Sequence, residues 1–399
     1  MKRRLTKRAF IVALVSGLLF IAGSTAQASW LFVIAAGVLG LVVGSLFIRH
    51  NLPAASIERS APRRVRVGDE VRVGVVVTNS GRRALPLLRL GDHHGAFEDS
   101  AILVERLKPG QSAHVELVKR AVRRGAFSGG EAVLVSGAPF GFLRSTRTMD
   151  VPTEVTVVPR WVELRSFPIL EPSSYLADAV HERARTGAGE EFLGVRDYRP
   201  GDPPRFVHWR STARAGHLVV REFEEEVASR VSLVLAGADT GSPPDSAYET
   251  LVSAAASIGV YALATGHPVD LVRSAPGGEV EHMGDPDRFA LLDWLARARP
   301  VDASLEPLVG RALERMGRQG TVVVLAPNTG SAGSSLDAAV RLGQAAGCRV
   351  IVVGATASSW LSDTERSPIR ETDLSSLAEQ RASVRMVARG DDLSRCLGP

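Results

Sequence analysis

Residues 9–48 carry no charged side chain, and one helical crossing of a bilayer needs roughly 20 apolar residues. The stretch is about twice that length and is broken once, by Ser24-Thr25-Ala26-Gln27-Ala28-Ser29. The pattern predicts two membrane helices, near residues 9–23 and 30–48, joined by a tight turn with Trp30 as an aromatic anchor at the outer interface. Lys2, Arg3, Arg4, Lys7 and Arg8 precede the stretch and Arg49 follows it, which places both ends in the cytoplasm. A second reading is a cleaved signal peptide, since Ala26-Gln27-Ala28 has the small-x-small pattern of a cleavage site. Residues 30–48 then act as a stop-transfer helix. Both readings leave everything after Arg49 inside.

From about residue 55 to 160 the apolar period is two. Val65, Val67, Val71, Val73, Val75 and Val77 alternate with Arg66, Arg72 and small residues, between the turn signals Gly68-Asp69 and Asn79-Ser80-Gly81. Shorter runs follow at residues 102–107, 113–118, 132–135 and 155–158, with Lys108-Pro109-Gly110 as a turn. Several short strands at this spacing predict a small antiparallel β-sandwich. His93-His94 falls between the runs and reads as a solvated loop pair.

The period changes from Arg230 onward. Residues 231–235, 269–272, 321–325 and 350–353 are apolar runs of strand length, interrupted by Ser232 and Asp270. Helical patterns lie between them near residues 248–265, 288–297, 305–316 and 336–346. This alternation predicts an α/β unit with a mostly parallel sheet covered on both faces. The chain therefore divides into a transmembrane hairpin with basic flanks (1–50), a β-sandwich (55–160), a linking segment (161–228) and an α/β domain (229–399).

Composition changes this picture in two places. The net charge of +5 suggests a nucleic-acid partner until it is located: residues 1–66 hold ten Lys or Arg and one acid, leaving 38 basic and 42 acidic residues elsewhere. The excess flanks the membrane segment, so no nucleic acid is expected. Two cysteines in 399 residues, Cys348 and Cys396, make no disulfide framework and fit a reducing compartment. Cys348 stands at the entry to an apolar strand and reads as a small core side chain.

The most distinctive stretch is residues 187–226, dense in Arg, Asp and Glu yet carrying Phe192, Tyr198, Phe206, Trp209 and Phe223. Pro200-Gly201-Asp202 is a turn, and Arg205, His208, Arg210 and Arg214 follow at spacings that let several share a helical face. Such a segment can close into a knot of guanidinium–carboxylate forks over aromatic rings. Arg196, Asp197, Asp202 and Arg210 are expected to be its buried pairs, because buried charges are tolerable only when satisfied.

Four runs carry a family resemblance: Gly189-Glu190-Glu191-Phe192, then residues 196–202 (Arg-Asp-Tyr-Arg-Pro-Gly-Asp), then 208–214 (His-Trp-Arg-Ser-Thr-Ala-Arg), then Arg221-Glu222-Phe223-Glu224. Together they resemble the signature of the bacterial domain-of-unknown-function family fifty-eight. Arg123-Arg124-Gly125 and Pro139-Phe140-Gly141-Phe142 resemble its upstream elements, with Ala138 in place of an Asp and Phe142 in place of a Leu. The resemblance makes Glu190, Phe192, Arg196, Asp197, Tyr198, Pro200, Gly201, Asp202, Arg205, His208, Trp209, Arg210, Ala213, Arg214, Arg221 and Glu222 the signature residues, structural or partner-binding. It implies a von Willebrand factor A-like α/β domain, a MoxR-type AAA+ ATPase as partner and a transglutaminase-like membrane protein beside it.

Two stretches carry candidate chemistry. A von Willebrand A metal site needs Asp-x-Ser-x-Ser after its first strand, to give Mg²⁺ hard oxygen ligands. Here the first, third and fifth positions are Ala236, Ala238 and Thr240, or Asp239, Gly241 and Pro243, so no metal is expected and Asp239 reads as a turn residue. His208 with Asp197 or Asp202 has the makings of a general base, but no nucleophile elbow or phosphate-binding Gly-x-x-x-x-Gly-Lys-Ser/Thr loop accompanies it. A hydrolase centred on 196–214 is the alternative to the main expectation, a membrane-tethered adaptor without catalysis or cofactor.

Overall fold

The computed structural model describes residues 2–47, 52–137, 140–169, 192–199, 202, 204–223, 229–316, 320–361 and 382–398. The chain forms two units: Met1–Arg160 with Leu292–Ala298, and Trp161–Leu291 with Arg299–Pro399.

In the first unit a short strand β1 (Lys2–Leu5) leads into two helices, α1 (Lys7–Thr25) and α2 (Ser29–Phe47). Both are apolar and long enough to cross a membrane. They pack along a seam of small residues: Ala9, Ser16 and Gly23 recur every seven positions on α1, and Ala35, Val42 and Ser45 are buried on α2. Small side chains let apolar helices approach closely where lipid removes the hydrophobic drive. The Ser16 hydroxyl donates to the Ala35 carbonyl at 2.8 Å, and Phe20 meets Phe32 edge-on. The opposite faces leave Phe10, Val33 and Phe47 exposed, as lipid-facing positions require.

Two sheets follow. One contains β1, β3 (Arg64–Arg66), β5 (Leu88–His93), β6 (Ser100–Val104), β8 (Gly125–Ser136) and β9 (Leu143–Val158), in the order β1-β9-β8-β5-β6 with β3 also on β9. The other is β2 (Ala55–Ser60), β4 (Glu70–Asn79) and β7 (Ser112–Arg120), in the order β2-β4-β7. Val73, Val75 and Val77 of β4 share one core with Leu88 and Leu90 of β5 and Leu134 of β8, so alternation on each strand builds a sandwich. One pairing departs from the antiparallel expectation: β3 runs parallel to β9. A second correction concerns the histidines. His93 ends β5, and His94, expected in solvent, is 4% exposed beside Phe97 and Phe127.

In the second unit a hairpin of β10 (Phe192–Asp197) and β11 (Val219–Phe223) brackets the seven-residue helix α3 (Trp209–Ala215). A mixed sheet then takes the order β16-β15-β12-β17-β18-β19. Strands β12 (Arg230–Leu235), β15 (Val269–Ser274), β17 (Gly320–Pro327), β18 (Arg349–Ala355) and β19 (Ser383–Val387) are parallel, and β16 (Val280–Gly284) is antiparallel at the edge. A small hairpin of β13 (Gly241–Ser242) and β14 (Asp245–Ser246) precedes α4 (Ala247–Ala264). Helices α6 (Glu306–Met316) and α7 (Gly330–Ala345) share a core with Val234, Val272, Val322 and Val350. Helix α5 (Arg288–Ala296) is divided between the two units, and α8 (Leu393–Leu397) ends the chain.

Helix α4 is also apolar and long enough to cross a membrane, but 61% of its span is buried. It is apolar nearly all round because it lies against β12, β17 and β18. At Gly259 a β-carbon would stand 2.6 Å from Leu291, so only glycine permits this packing. Cys348 is buried in the core beside α7, and burial pushes its thiol pKa up.

Candidate functional site

The signature residues form one local structure. Strands β10 and β11 pair with Val195 opposite Arg221, Arg196 opposite Val220 and Asp197 opposite Val219, while Phe192 faces Phe223 and Gly194 faces Glu222 across a bulge. Between them α3 is closed onto β11. The His208 amide donates to the Val219 carbonyl at 2.8 Å, and the Val219 amide donates to the Thr212 hydroxyl at 3.1 Å. Gly216 ends the helix at φ +75°, the left-handed conformation that suits glycine.

The charges are less buried than a knot requires. Arg196 and Asp202 make the two-pronged pair expected of them, at 2.8 and 2.9 Å, yet their side chains remain 24% and 19% exposed. The Arg199 amide donates to the same carboxylate at 2.8 Å. The Arg196 guanidinium, then that amide, push the Asp202 pKa down to about 2. A depressed carboxyl pKa gives stability that is present above the unfolded value near 4 and is lost as pH falls toward 2. Asp197 and Arg210, the other two expected members, are exposed. Asp197 instead accepts from His217 Nε2 at 2.8 Å. Short strands around a seven-residue helix enclose too little volume to bury four charges.

His208 caps α3. Its Nδ1 accepts from the Ser211 amide at 3.3 Å and lies 2.7 Å from the Ser211 hydroxyl. Both carboxylates considered as its partner are engaged elsewhere, Asp197 by His217 and Asp202 by Arg196. Arg205 stacks over Phe206 at 4.8 Å, and Tyr198 is half-buried. Trp209 is 69% exposed, with Ala213 one turn on and Arg210 and Arg214 beside it, all exposed. Arg221 is exposed on β11. Glu190, Pro200 and Gly201 lie outside the described residues, as do Ala138 and Pro139.

At the end of β12, where a metal-binding loop would begin, Ala236 is buried and Gly237 stands at φ +122° with its would-be β-carbon 2.2 Å from Pro327. No side chain fits there. Asp239 accepts from the Tyr248 amide at the start of α4. Among the described residues no three His, Cys, Asp or Glu are grouped to hold a metal.

Two charged clusters escaped the sequence reading. In the sandwich Asp92 is paired with both Arg59 and Lys119, all three nearly inaccessible. In the α/β unit buried Asp270 lies 3.1 Å from Arg230, which is also held by Asp285 at 2.7 Å. Burial opposes the Arg230 charge, but those carboxylates more than offset it and its pKa is raised. Partners separated by 27 to 55 positions leave no local pattern to read.

A helix hairpin long and apolar enough to cross a membrane, a β-sandwich and an α/β unit entered through a charged hairpin define the class: a two-unit protein with its distinctive residues on that charged hairpin. The family described as "Protein of unknown function DUF58" matches residues 194–353, from within β10 into β18, and the chain is similar to that family over this span. The upstream likenesses lie outside the matched residues. No curated protein matches. Among solved structures, a CARDB domain from Pyrococcus furiosus in complex with di-metal ions is 16% identical, covering 26% of this chain and 93% of its own, at a TM-score of 0.19. The sporulation control protein Spo0M of Bacillus subtilis is 13% identical over 26% of this chain and 49% of its own, at 0.18. A trypsin-activated alpha-2-macroglobulin of Escherichia coli is 14% identical over 54% of this chain and 13% of its own, at 0.22. Scores this low carry no argument about this chain.

Proposed function

We propose that the protein is a membrane-anchored adaptor that binds a partner protein through its signature hairpin and performs no catalysis itself. The observation that carries this reading is Trp209, 69% exposed on a helix held to β11 through His208 and Thr212 and flanked by Arg210 and Arg214. Tryptophan and arginine dominate interface energies, and a rigid, exposed pair of these types is what a docking site offers. The family resemblance supplies the partner, a MoxR-type AAA+ ATPase, with a transglutaminase-like membrane protein beside it. Five parallel strands under helices on both faces support the von Willebrand A-like reading of the α/β unit.

Tagged full-length protein extracted from native membranes with nucleotide present is expected to recover the ATPase. Trp209→Ala should weaken that binding by about thirtyfold, the size of a hot-spot loss of about 2 kcal/mol, while the melt is unchanged. Crosslinked extracts without the ATPase would reject this partner.

The 2.7 Å approach of His208 to Ser211 supports one rival, a serine hydrolase. Its Nδ1 is already the cap acceptor, so no fluorophosphonate labelling is expected; labelling abolished by Ser211→Ala would establish the rival.

A further inference from the structure

The outer face of the larger sandwich sheet has a graded charge. Register places Arg4 of β1 directly opposite Arg144 of β9. The next row runs Lys2, Thr146, Val135, Arg89, Leu103, and the row beyond it Thr148, Val133, Gly91, Ala101. The last row is Asp150, Glu131 and His93, with Asp99 2.9 Å from the His93 ring. Four cations thus cluster at one end of the face and the acids lie at the other.

A cleft of about 330 Å³ opens on this face, with Gly91, Val133 and Val135 on its floor and Arg89 and Arg144 at its basic end. Gly91 keeps the floor low, since a β-carbon there would meet His93 at 3.2 Å. Lys2, Arg4, Arg89 and Arg144 are all exposed, and none has an ionic or hydrogen-bonding partner among the described residues. Like charges directly opposite on paired strands repel, so Arg4 facing Arg144 is a position that an anion would stabilise.

The basic end is also the end joined to the helices. Strand β1 passes into α1 through Thr6 alone, whose hydroxyl donates to the Gly141 carbonyl at 2.7 Å and whose amide donates to Phe142 at 2.9 Å. Leu5, Leu87 and Phe140 are exposed apolar side chains near this corner. Cations beside exposed apolar groups, fixed at the mouth of a membrane helix, match a phosphate headgroup above its acyl chains.

We infer that this cleft binds the headgroup of an anionic phospholipid, its phosphate held by Arg89, Arg144 and Arg4. The proposal rests on the membrane anchoring given above. The test uses full-length protein in phosphatidylcholine vesicles, with or without an equal part of phosphatidylglycerol, and native mass spectrometry of the lipid retained after extraction. Phosphatidylglycerol should be retained selectively. Arg89→Gln with Arg144→Gln should lower that retention about thirtyfold, near fivefold for each arginine, and Arg72→Gln on the other sheet should not. If the double variant melts below the wild type, each single variant is read for its fivefold loss. Unselective retention, or unchanged retention in these variants, overturns the site while co-flotation with neutral vesicles leaves the anchor standing. Inorganic phosphate stabilising the detergent-solubilised protein as strongly as the lipid would assign the cleft to a soluble anion instead. Failure to float with neutral vesicles rejects the anchor, and this site with it.

Discussion

At the residue scale the clearest consequence belongs to His94. Its Nδ1 accepts from the Ala96 amide at 3.3 Å and its Nε2 faces the Thr153 carbonyl at 3.1 Å. That pair of contacts suits only the neutral ring protonated on Nε2, because a second proton on Nδ1 would point at an N–H. Burial lowers its pKa, and nearby Arg59 and Lys119 add to the effect. The sign follows: the unfolded chain takes up the proton first, so His94 stabilises the fold above pH of about 6.5 and that contribution is lost as pH falls. Thermal melts from pH 8 to 5 should show the wild type losing stability faster than His94→Leu, which starts lower and has a flatter profile. Equal slopes would assign the acid sensitivity to other groups. The sequence misled here because a His-His pair between strand patterns looks like a loop. Burial came from Phe97 and Phe127, neither of which announces that it will close over a histidine.

At the scale of elements, two ionic pairs of similar geometry differ in what they hold. Asp92 on β5 faces Arg59 on β2 and Lys119 on β7, so one buried carboxylate joins the two sheets. Asp202 joins β10 only to the turn that follows it and is partly open to water. Removing one partner of a buried pair costs about 3–5 kcal/mol because the remaining charge is stranded, and exposed pairs are worth far less. Asp92→Ala should therefore lower the denaturation midpoint severely, whereas Asp202→Ala should lower it only slightly; equal losses would contradict the difference in burial. The sequence pointed to Asp202 and not to Asp92. Arg196 and Asp202 are six residues apart within a conspicuous motif, while the Asp92 partners stand 33 and 27 positions away on strands defined only by alternation. Strand β4 was legible through its long valine alternation, and β2 and β5 were not, because Ser, Glu, Arg and Gly dilute their pattern.

For the whole molecule, the apolar runs and the change of period at Arg230 made the helices and the α/β unit readable, and what they left open was whether the chain crosses twice or once after cleavage. Pairing now bears on it. Lys2–Leu5 forms a strand on Leu143–Thr146, in register over four residues, so the N-terminus and the sandwich must lie on the same side of a membrane. Two crossings satisfy that condition and one does not. Residues 2–25 have partners in the fold, Lys2–Leu5 on β9 and Ser16 of α1 on Ala35 of α2. We propose the cytoplasmic side, on the ten basic residues against one acid in residues 1–66. A fluorescent protein fused at the C-terminus should therefore be bright and alkaline phosphatase fused there inactive, with residues 2–25 retained in the mature chain by intact mass. An active phosphatase fusion on the uncleaved protein would put both ends outside and reverse the assignment. Loss of residues 2–25 would leave one crossing and remove β1, and Arg4 with it, from the basic end of the cleft.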